Sequence, residues 1–266
     1  MKTLIKNGRV IDPASSTDEV KDILLEDGII LKVDKDIKEE ADNIIDAAGC
    51  FVMPGLIDLH VHFREPGYEY KETIRTGARA AARGGFTTVC VMPDTKPVID
   101  SVDMVNFINE KAKDVTDINI LPVAAVTAAQ DGEYITDFEK LADNGAVAVS
   151  EDGTSVMNAR IARQAMRLAA DVDIPVFAYC EDKNLAARGV MNAGNKAKEL
   201  GLFGIMNVVE DIMVARDILL AKNTGAKLHV CRCSTKDSVR MVEMAKQEGL
   251  NITAEVTPHN LSLIHI

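Results

Sequence analysis

The sequence predicts an α/β protein: a parallel sheet of seven strands alternating with helices, one strand short of a (β/α)8 barrel, preceded by a small antiparallel β layer. Three observations predict it. Apolar runs of strand length recur from Pro54 onward. Helical periodicity fills the gaps between them. The first ~50 residues follow another rhythm, with short β-type runs broken by turn signals.

In the N-terminal portion, residues 1–53, the runs are TLIKNGRVID, DILLEDGIILKV and NIIDAAGCFVMPG. Asn7-Gly8 and Asp27-Gly28 are hairpin turn pairs between apolar stretches, so a small antiparallel layer is expected. Residues 54–260 form the barrel portion. Its strand runs are GLIDLHVHF, FTTVCVM, INILPVAAV, AVAVS, IPVFAYC, KLHVC and ITAEV, seven where a closed barrel needs eight. Their near-continuous apolar character fits a sheet buried on both faces. Between them, 70–83 carries Ile74, Ala78, Ala81 and Ala82 at helical spacing and stops at Gly84-Gly85. The stretch 207–224 places Val208, Ile212, Ala215 and Leu219 on one face, with Asn207 as N-cap, Glu210 three on, and Gly225 as stop. The stretch 235–248 repeats the scheme with Val239, Val242, Met244 and Ala245 before Gly249.

Composition narrows the function classes. The chain has 266 residues and is 47% hydrophobic, enough for a sizeable core. Net charge is 30 − 41 = −11, which argues against a nucleic-acid surface. No apolar run approaches the ~20 residues of a membrane span, and the N-terminus lacks a secretory apolar stretch. Five cysteines, an odd count, read as free thiols of a reducing cytoplasm.

Active sites of barrels lie at the carboxyl ends of the strands, where the first run ends in DLHVHFREPG. On a strand, positions i and i+2 point to one side, so His60 and His62 can converge on one metal ion. Arg64 follows at once, suited to a carboxylate.

The stretch PGLIDLHVHFREPG resembles the first signature of the dihydroorotases, within the amidohydrolase superfamily. The resemblance continues through GARAAARGGFTTVCVMPDTKP, SEDG, AYCED, VARDILLAK, STKDSV and AEVTPH, across most of residues 1–260. It implies a TIM-type metal-dependent barrel flanked by a small β-sandwich. It also implies reversible hydrolysis of the cyclic amide of dihydroorotate to N-carbamoyl-L-aspartate, in pyrimidine biosynthesis. Two zinc ions are implied, supplying a hydroxide and polarising the carbonyl it attacks. His60 and His62 would hold the first zinc, Asp152 would bridge both, and Arg64 would bind the substrate carboxylate. Hydantoinases and allantoinases share the paired histidines but usually carry a bridging lysine on strand four. AVAVSEDG has none.

The chain departs from the pattern at the second zinc. Tyr179 and Arg232 stand where the family has its second pair of histidines. Asp94 replaces the asparagine of a substrate-binding MPNT stretch, and Asn260 replaces a histidine. Each change is a single-nucleotide step. Tyrosine, with a pKa of about 10, is a poor ligand at neutral pH, and Arg232 is a permanent cation. One zinc or fewer is therefore expected. Strand alternation sends Cys231 and Cys233 to the face opposite Arg232, and with them His229 as a structural residue. Glu151 is expected to support the site and His259 to lie outside it.

The family's catalytic aspartate lies on strand eight, and no residue of this chain matches it. The last six residues, LSLIHI, are what one frame of a transposase sequencing adapter encodes, so 261–266 is expected to be a non-native tail on a truncated chain. Two functions stay open: a zinc hydrolase, and a catalytically impaired homologue with a structural role, as a homodimer or beside a carbamoyltransferase.

Overall fold

The computed structural model describes residues 1–115 and 118–262. Most of the expected 261–266 tail lies outside the described residues. The chain divides into two compact units, Met1–Leu56 and Ile57–Ile266.

The N-terminal unit is one five-stranded sheet of β1 (Lys2–Asp12), β2 (Thr17–Glu26), β3 (Ile29–Asp34), β4 (Asn43–Asp46) and β5 (Phe51–Val52). It is mixed rather than antiparallel, because β4 and β5 pair with β1 in parallel. Asp27-Gly28 is the expected hairpin turn, with both residues at positive φ. Asn7-Gly8 is not a turn. It is a bulge inside β1, where the register against β2 shifts between Ile5 and Gly8. Buried Asp22 accepts from the Asn7 N–H at 2.9 Å and the Ile37 N–H at 3.0 Å, so the bulge has its own anchor. A Cβ at Gly8 would meet Val52 at 2.4 Å, so only glycine fits there.

The second unit is built on a seven-stranded sheet: β6 (Leu56–Val61), β7 (Phe86–Val91), β8 (Asn119–Ala125), β9 (Ala148–Ser150), β10 (Val176–Tyr179), β13 (Leu228–Cys231) and β14 (Ile252–Ala254). The short β11 (Met191–Asn192) and β12 (Gly204–Ile205) form a separate pair. Each of the seven neighbours the next in chain order, and the described pairings are parallel. Unbroken sequence order is the progression of a singly wound barrel, not of a doubly wound sheet with its reversal. All seven expected strands are present.

Strand alternation makes two cores. Val89, Val91, Ala124, Val176, Ala178, Leu228 and Val230 face the helices. Cys90, Met92, Val123, Ala148, Phe177 and Cys231 pack together on the inner face. The helix Ile74–Arg83 begins at a reciprocal cap between Thr73 and Thr76. Its Gly77 leaves a notch for the buried Phe63 ring, where a Cβ would lie 2.3 Å from Cδ1. That contact turns Phe63 outward and leaves His62 for the inner side.

The helix Val208–Thr224 buries Val209, Met213, Val214, Asp217 and Ala221. The expected face is one position off: Val208, Ile212 and Leu219 are exposed. Apolar residues lie on several of its faces with charged ones between them, so periodicity alone could not select the buried stripe. Nor does the Asn207 side chain cap it. Glu210 turns away to accept the Ser234 and Thr235 N–H groups. In the helix Lys236–Gln247, Val242 and Ala245 are buried as expected, while Val239 and Met244 are exposed. No described helix is long and apolar enough to cross a membrane.

Candidate metal centre

The site is assembled from residues just past the strand ends. His60 is the next-to-last residue of β6 and His62 the first beyond it, with ring centroids 5.2 Å apart. Asp152 lies two residues beyond β9, its N–H on the Ser150 hydroxyl at 3.1 Å. Its two carboxylate oxygens divide between the histidines: Oδ1 is 3.4 Å from His60 Nε2 and Oδ2 is 3.5 Å from His62 Nε2. One donor atom from each of the three lies within 4.8 Å of the others. Ligand bonds of about 2.0–2.2 Å to a shared centre give such separations.

Whether a metal fits is answered by a polar atom. His60 Nε2 is buried and has no hydrogen-bond partner. An unpaired buried nitrogen costs about 1–3 kcal/mol unless something takes its lone pair. It faces a carboxylate that is itself 2% exposed, with a second imidazole alongside. Two nitrogens and one carboxylate suit a borderline divalent ion. The residues therefore fit one metal.

The charge balance agrees. Burial opposes ionisation of Asp152, but the facing His60 imidazole, the Arg232 guanidinium and His62 outweigh it and hold its carboxyl below the ordinary range. Burial likewise disfavours an imidazolium at His60. Asp152, the Cys231 thiol and Glu255 overcome that and raise its pKa to about 11. Glu151 takes no part in this cluster. It accepts from the Thr127 N–H and hydroxyl, and burial raises its carboxyl.

Tyr179 and Arg232 come together beside Asp152. Arg232 follows β13 and takes φ +53. Its Nη2 donates to Asp152 Oδ1. Its guanidinium carbon lies 4.5 Å from the Tyr179 ring centroid, a cation–π contact. The Tyr179 hydroxyl donates to Glu181, and burial with Glu181 pushes its pKa up, against Arg232. A second metal on that carboxylate oxygen would sit within about 4 Å of a guanidinium. At an effective dielectric of ~20, each unit pair of like charge costs about 4 kcal/mol there. These residues do not fit a second metal. A cleft of about 240 Å³ opens beside them, lined by Glu181, Asn192, Asn207 and Glu210 among others.

Arg64 and Asp94 also meet. Arg64, at φ +62, donates through Nη1 to Asp94 Oδ2, while His62 Nδ1 lies 2.8 Å from Asp94 Oδ1. The expected carboxylate-binding fork thus already holds a carboxylate of its own chain. The negative charge at Asp94 is paired rather than open.

Alternation misplaces the cysteines. β13 ends at Cys231, and the positive φ of Arg232 breaks the two-residue period. Cys231 faces inward, its Sγ grouped with His60 and Glu255 within 4.8 Å, while Cys233 joins the helix-side core. Cys231 and Arg232 therefore reach the same centre from adjacent positions, and burial pushes the Cys231 thiol up to about 11. His229 lies on the inner face too, 5.0 Å from the Phe177 ring. His259 is exposed. Asn260 accepts from the Thr257 N–H and hydroxyl and closes a local turn. Glu255 was not anticipated. Its signal was a lone charge inside the apolar run ITAEV, at the strand end where barrels keep functional groups.

A sequentially wound parallel sheet with a His-His-Asp cluster at its carboxyl ends has the layout of a barrel with a candidate metal site. Residues 49–238 match the profile of the family described as dihydro-orotase-like. Two curated relatives are the dihydroorotases of Solibacter usitatus, 47% identical over 263 residues, and Syntrophus aciditrophicus, 46% identical over 265. Each match takes in 99% of this chain, and 61% and 62% of those proteins. Among solved structures, an L-hydantoinase (dihydropyrimidinase) from Arthrobacter aurescens superposes with a TM-score of 0.81 at 24% identity, covering 97% of this chain and 58% of that one. That likeness gives the fold, an incomplete (β/α)8 barrel. The chain belongs to the dihydro-orotase-like family. It spans about three fifths of the length of the curated relatives it matches. A metal cofactor is implied by the family.

Proposed function

We propose that this chain carries the metal site of a dihydroorotase-type cyclic amidohydrolase, with zinc held by His60, His62 and Asp152. The observation that carries the reading is the unpartnered His60 Nε2 facing the Asp152 carboxylate and the second imidazole. The reaction assigned is reversible hydrolysis of the cyclic amide of dihydroorotate to N-carbamoyl-L-aspartate. A bound zinc supplies Lewis acidity toward that amide and lowers the pKa of a water. The chain's own residues do the rest. His60, His62 and Asp152 fix the ion's place. Arg64 is the bidentate partner for the substrate carboxylate, once Asp94 yields the fork. Arg232 sets a fixed positive charge on Asp152 Oδ1. Curated relatives named dihydroorotase, 44–48% identical over nearly all of this chain, support the substrate.

Arg232 on Asp152 favours a second feature of the same reading: this chain holds a single metal and turns over far more slowly than a two-metal enzyme. The test is calorimetric titration of N-carbamoyl-L-aspartate into zinc-loaded and chelator-treated chain, with a turnover assay alongside. Metal-dependent binding with weak turnover is expected. Binding that ignores the metal, or turnover of a hydantoin in preference to dihydroorotate, overturns the assignment.

A further inference from the structure

The geometry points to Glu255 as a positioning residue that aims His60 at the metal, with His229 holding Glu255 in place. This rests on the metal centre proposed above. It concerns residues that the dihydroorotase pattern leaves without a role here.

His60 uses its two ring nitrogens differently. Nε2 faces Asp152 Oδ1 at 3.4 Å. Nδ1 lies 2.5 Å from Glu255 Oε1. An ionised carboxylate can only accept, so the hydrogen in that contact belongs to Nδ1. With Nδ1 carrying hydrogen, a neutral ring has its lone pair on Nε2, directed at His62 and Asp152. Glu255 therefore selects the tautomer and fixes the rotation of the ring. A ring free to turn would spread its donor nitrogen over positions several ångströms apart.

Glu255 is itself held. Its second oxygen lies at ion-pair distance, 3.2 Å, from His229 Nε2, a buried nitrogen with no hydrogen-bond partner. His229 Nδ1 lies 2.8 Å from the Thr253 hydroxyl. The chain Thr253–His229–Glu255–His60 thus runs along the inner face to the metal site. The backbone is pinned as well. The Glu255 N–H donates to Val230 O at 3.1 Å, and the Cys233 N–H donates to Glu255 O at 2.8 Å. A carboxylate behind a metal-binding histidine fixes tautomer and orientation, and its loss commonly costs 10- to 100-fold in metal affinity.

One rival uses the same atoms. His60, Cys231 and Glu255 also bring donor atoms within 4.8 Å, so a soft ion could take the thiolate and Glu255 as direct ligands. The two readings differ in what touches the metal.

The experiment compares zinc affinity, by competition with a chromophoric chelator, in the parent chain, Glu255→Gln, Glu255→Leu and His229→Phe, each checked for folding by circular dichroism. Glu255→Gln keeps an acceptor for Nδ1–H and should lose severalfold. Glu255→Leu removes it and should lose 10- to 100-fold. His229→Phe frees Glu255 to rotate and should fall between. Long-range ¹⁵N–¹H spectra of the zinc-loaded parent should show hydrogen on His60 Nδ1 and metal on Nε2, a pattern lost in Glu255→Leu. Cadmium loading should give no thiolate charge-transfer band. Equal zinc affinity in parent and Glu255→Leu overturns the positioning role and leaves the metal centre standing. Unchanged affinity in His229→Phe overturns the part of His229. A cadmium–thiolate band overturns the inference in favour of the Cys231 site. A folded parent that binds no zinc overturns the centre itself.

Discussion

Replacing Tyr179 and Arg232 together by histidine should convert a one-metal site into a two-metal site. Arg232 is the obstacle, since its guanidinium donates to the Asp152 oxygen that a second ion would need. At about 4 Å and an effective dielectric of ~20, guanidinium against a dication costs about 8 kcal/mol. Arginine is flexible and Tyr179 is its only aromatic support among the described residues, so part of that is relieved by swinging the side chain away. A residual of about 3 kcal/mol, or roughly 100-fold in affinity, is still expected. The histidines add two neutral donors in place of a cation and a phenol whose pKa is raised. The assay is metal content per chain by mass spectrometry after dialysis against micromolar zinc. The parent should hold one ion and the folded double variant two. A parent with two ions, or a folded double variant still at one, would refute the electrostatic argument.

Further expectations follow from the same geometry. Asp94→Asn removes the carboxylate from the Arg64 fork, so the affinity for N-carbamoyl-L-aspartate should rise at least tenfold by calorimetry; an unchanged value would mean Arg64 does not meet the substrate. His60 without metal has its pKa raised to about 11 and so carries a proton at neutral pH, whereas a metal takes the deprotonated nitrogen. Zinc binding at pH 7.5 should therefore release about one proton, read from calorimetry in buffers of different ionisation enthalpy, and affinity should climb with pH until His60 titrates. Gly77→Ala drives a Cβ to 2.3 Å from the Phe63 ring and should cost about 1–3 kcal/mol in a denaturant melt, with zinc affinity falling as the β6 end shifts.

The seven inner strands were legible because each is a continuous apolar run, and a parallel sheet buried on both faces demands that. His60 and His62 were legible because a two-residue period on a strand forces them together. Asp152 was placed by resemblance, and the geometry brings it to both histidines. The same period failed one strand end later. Arg232 adopts a left-handed conformation, and no local signal announces that a non-glycine residue will do so. Cys231 and Arg232 consequently reach the same centre, which alternation forbids. Asn7-Gly8 carries the composition of a hairpin turn, yet Asp22, fifteen residues away in the chain, captures it as a bulge. The Arg64–Asp94 pair and the Glu255 chain are long-range side-chain choices. They depend on which strand ends become neighbours, and a single sequence does not state that.

The central claim is a single metal held by His60, His62 and Asp152, with Arg232 in place of a second ion. Anomalous diffraction at the zinc edge, from crystals of the zinc-loaded chain, tests it most directly. The account predicts one peak, between the two Nε2 atoms and the Asp152 carboxylate, with the Arg232 guanidinium still on Oδ1. Two peaks flanking Asp152, or one peak bound to Cys231 and Glu255, would contradict it.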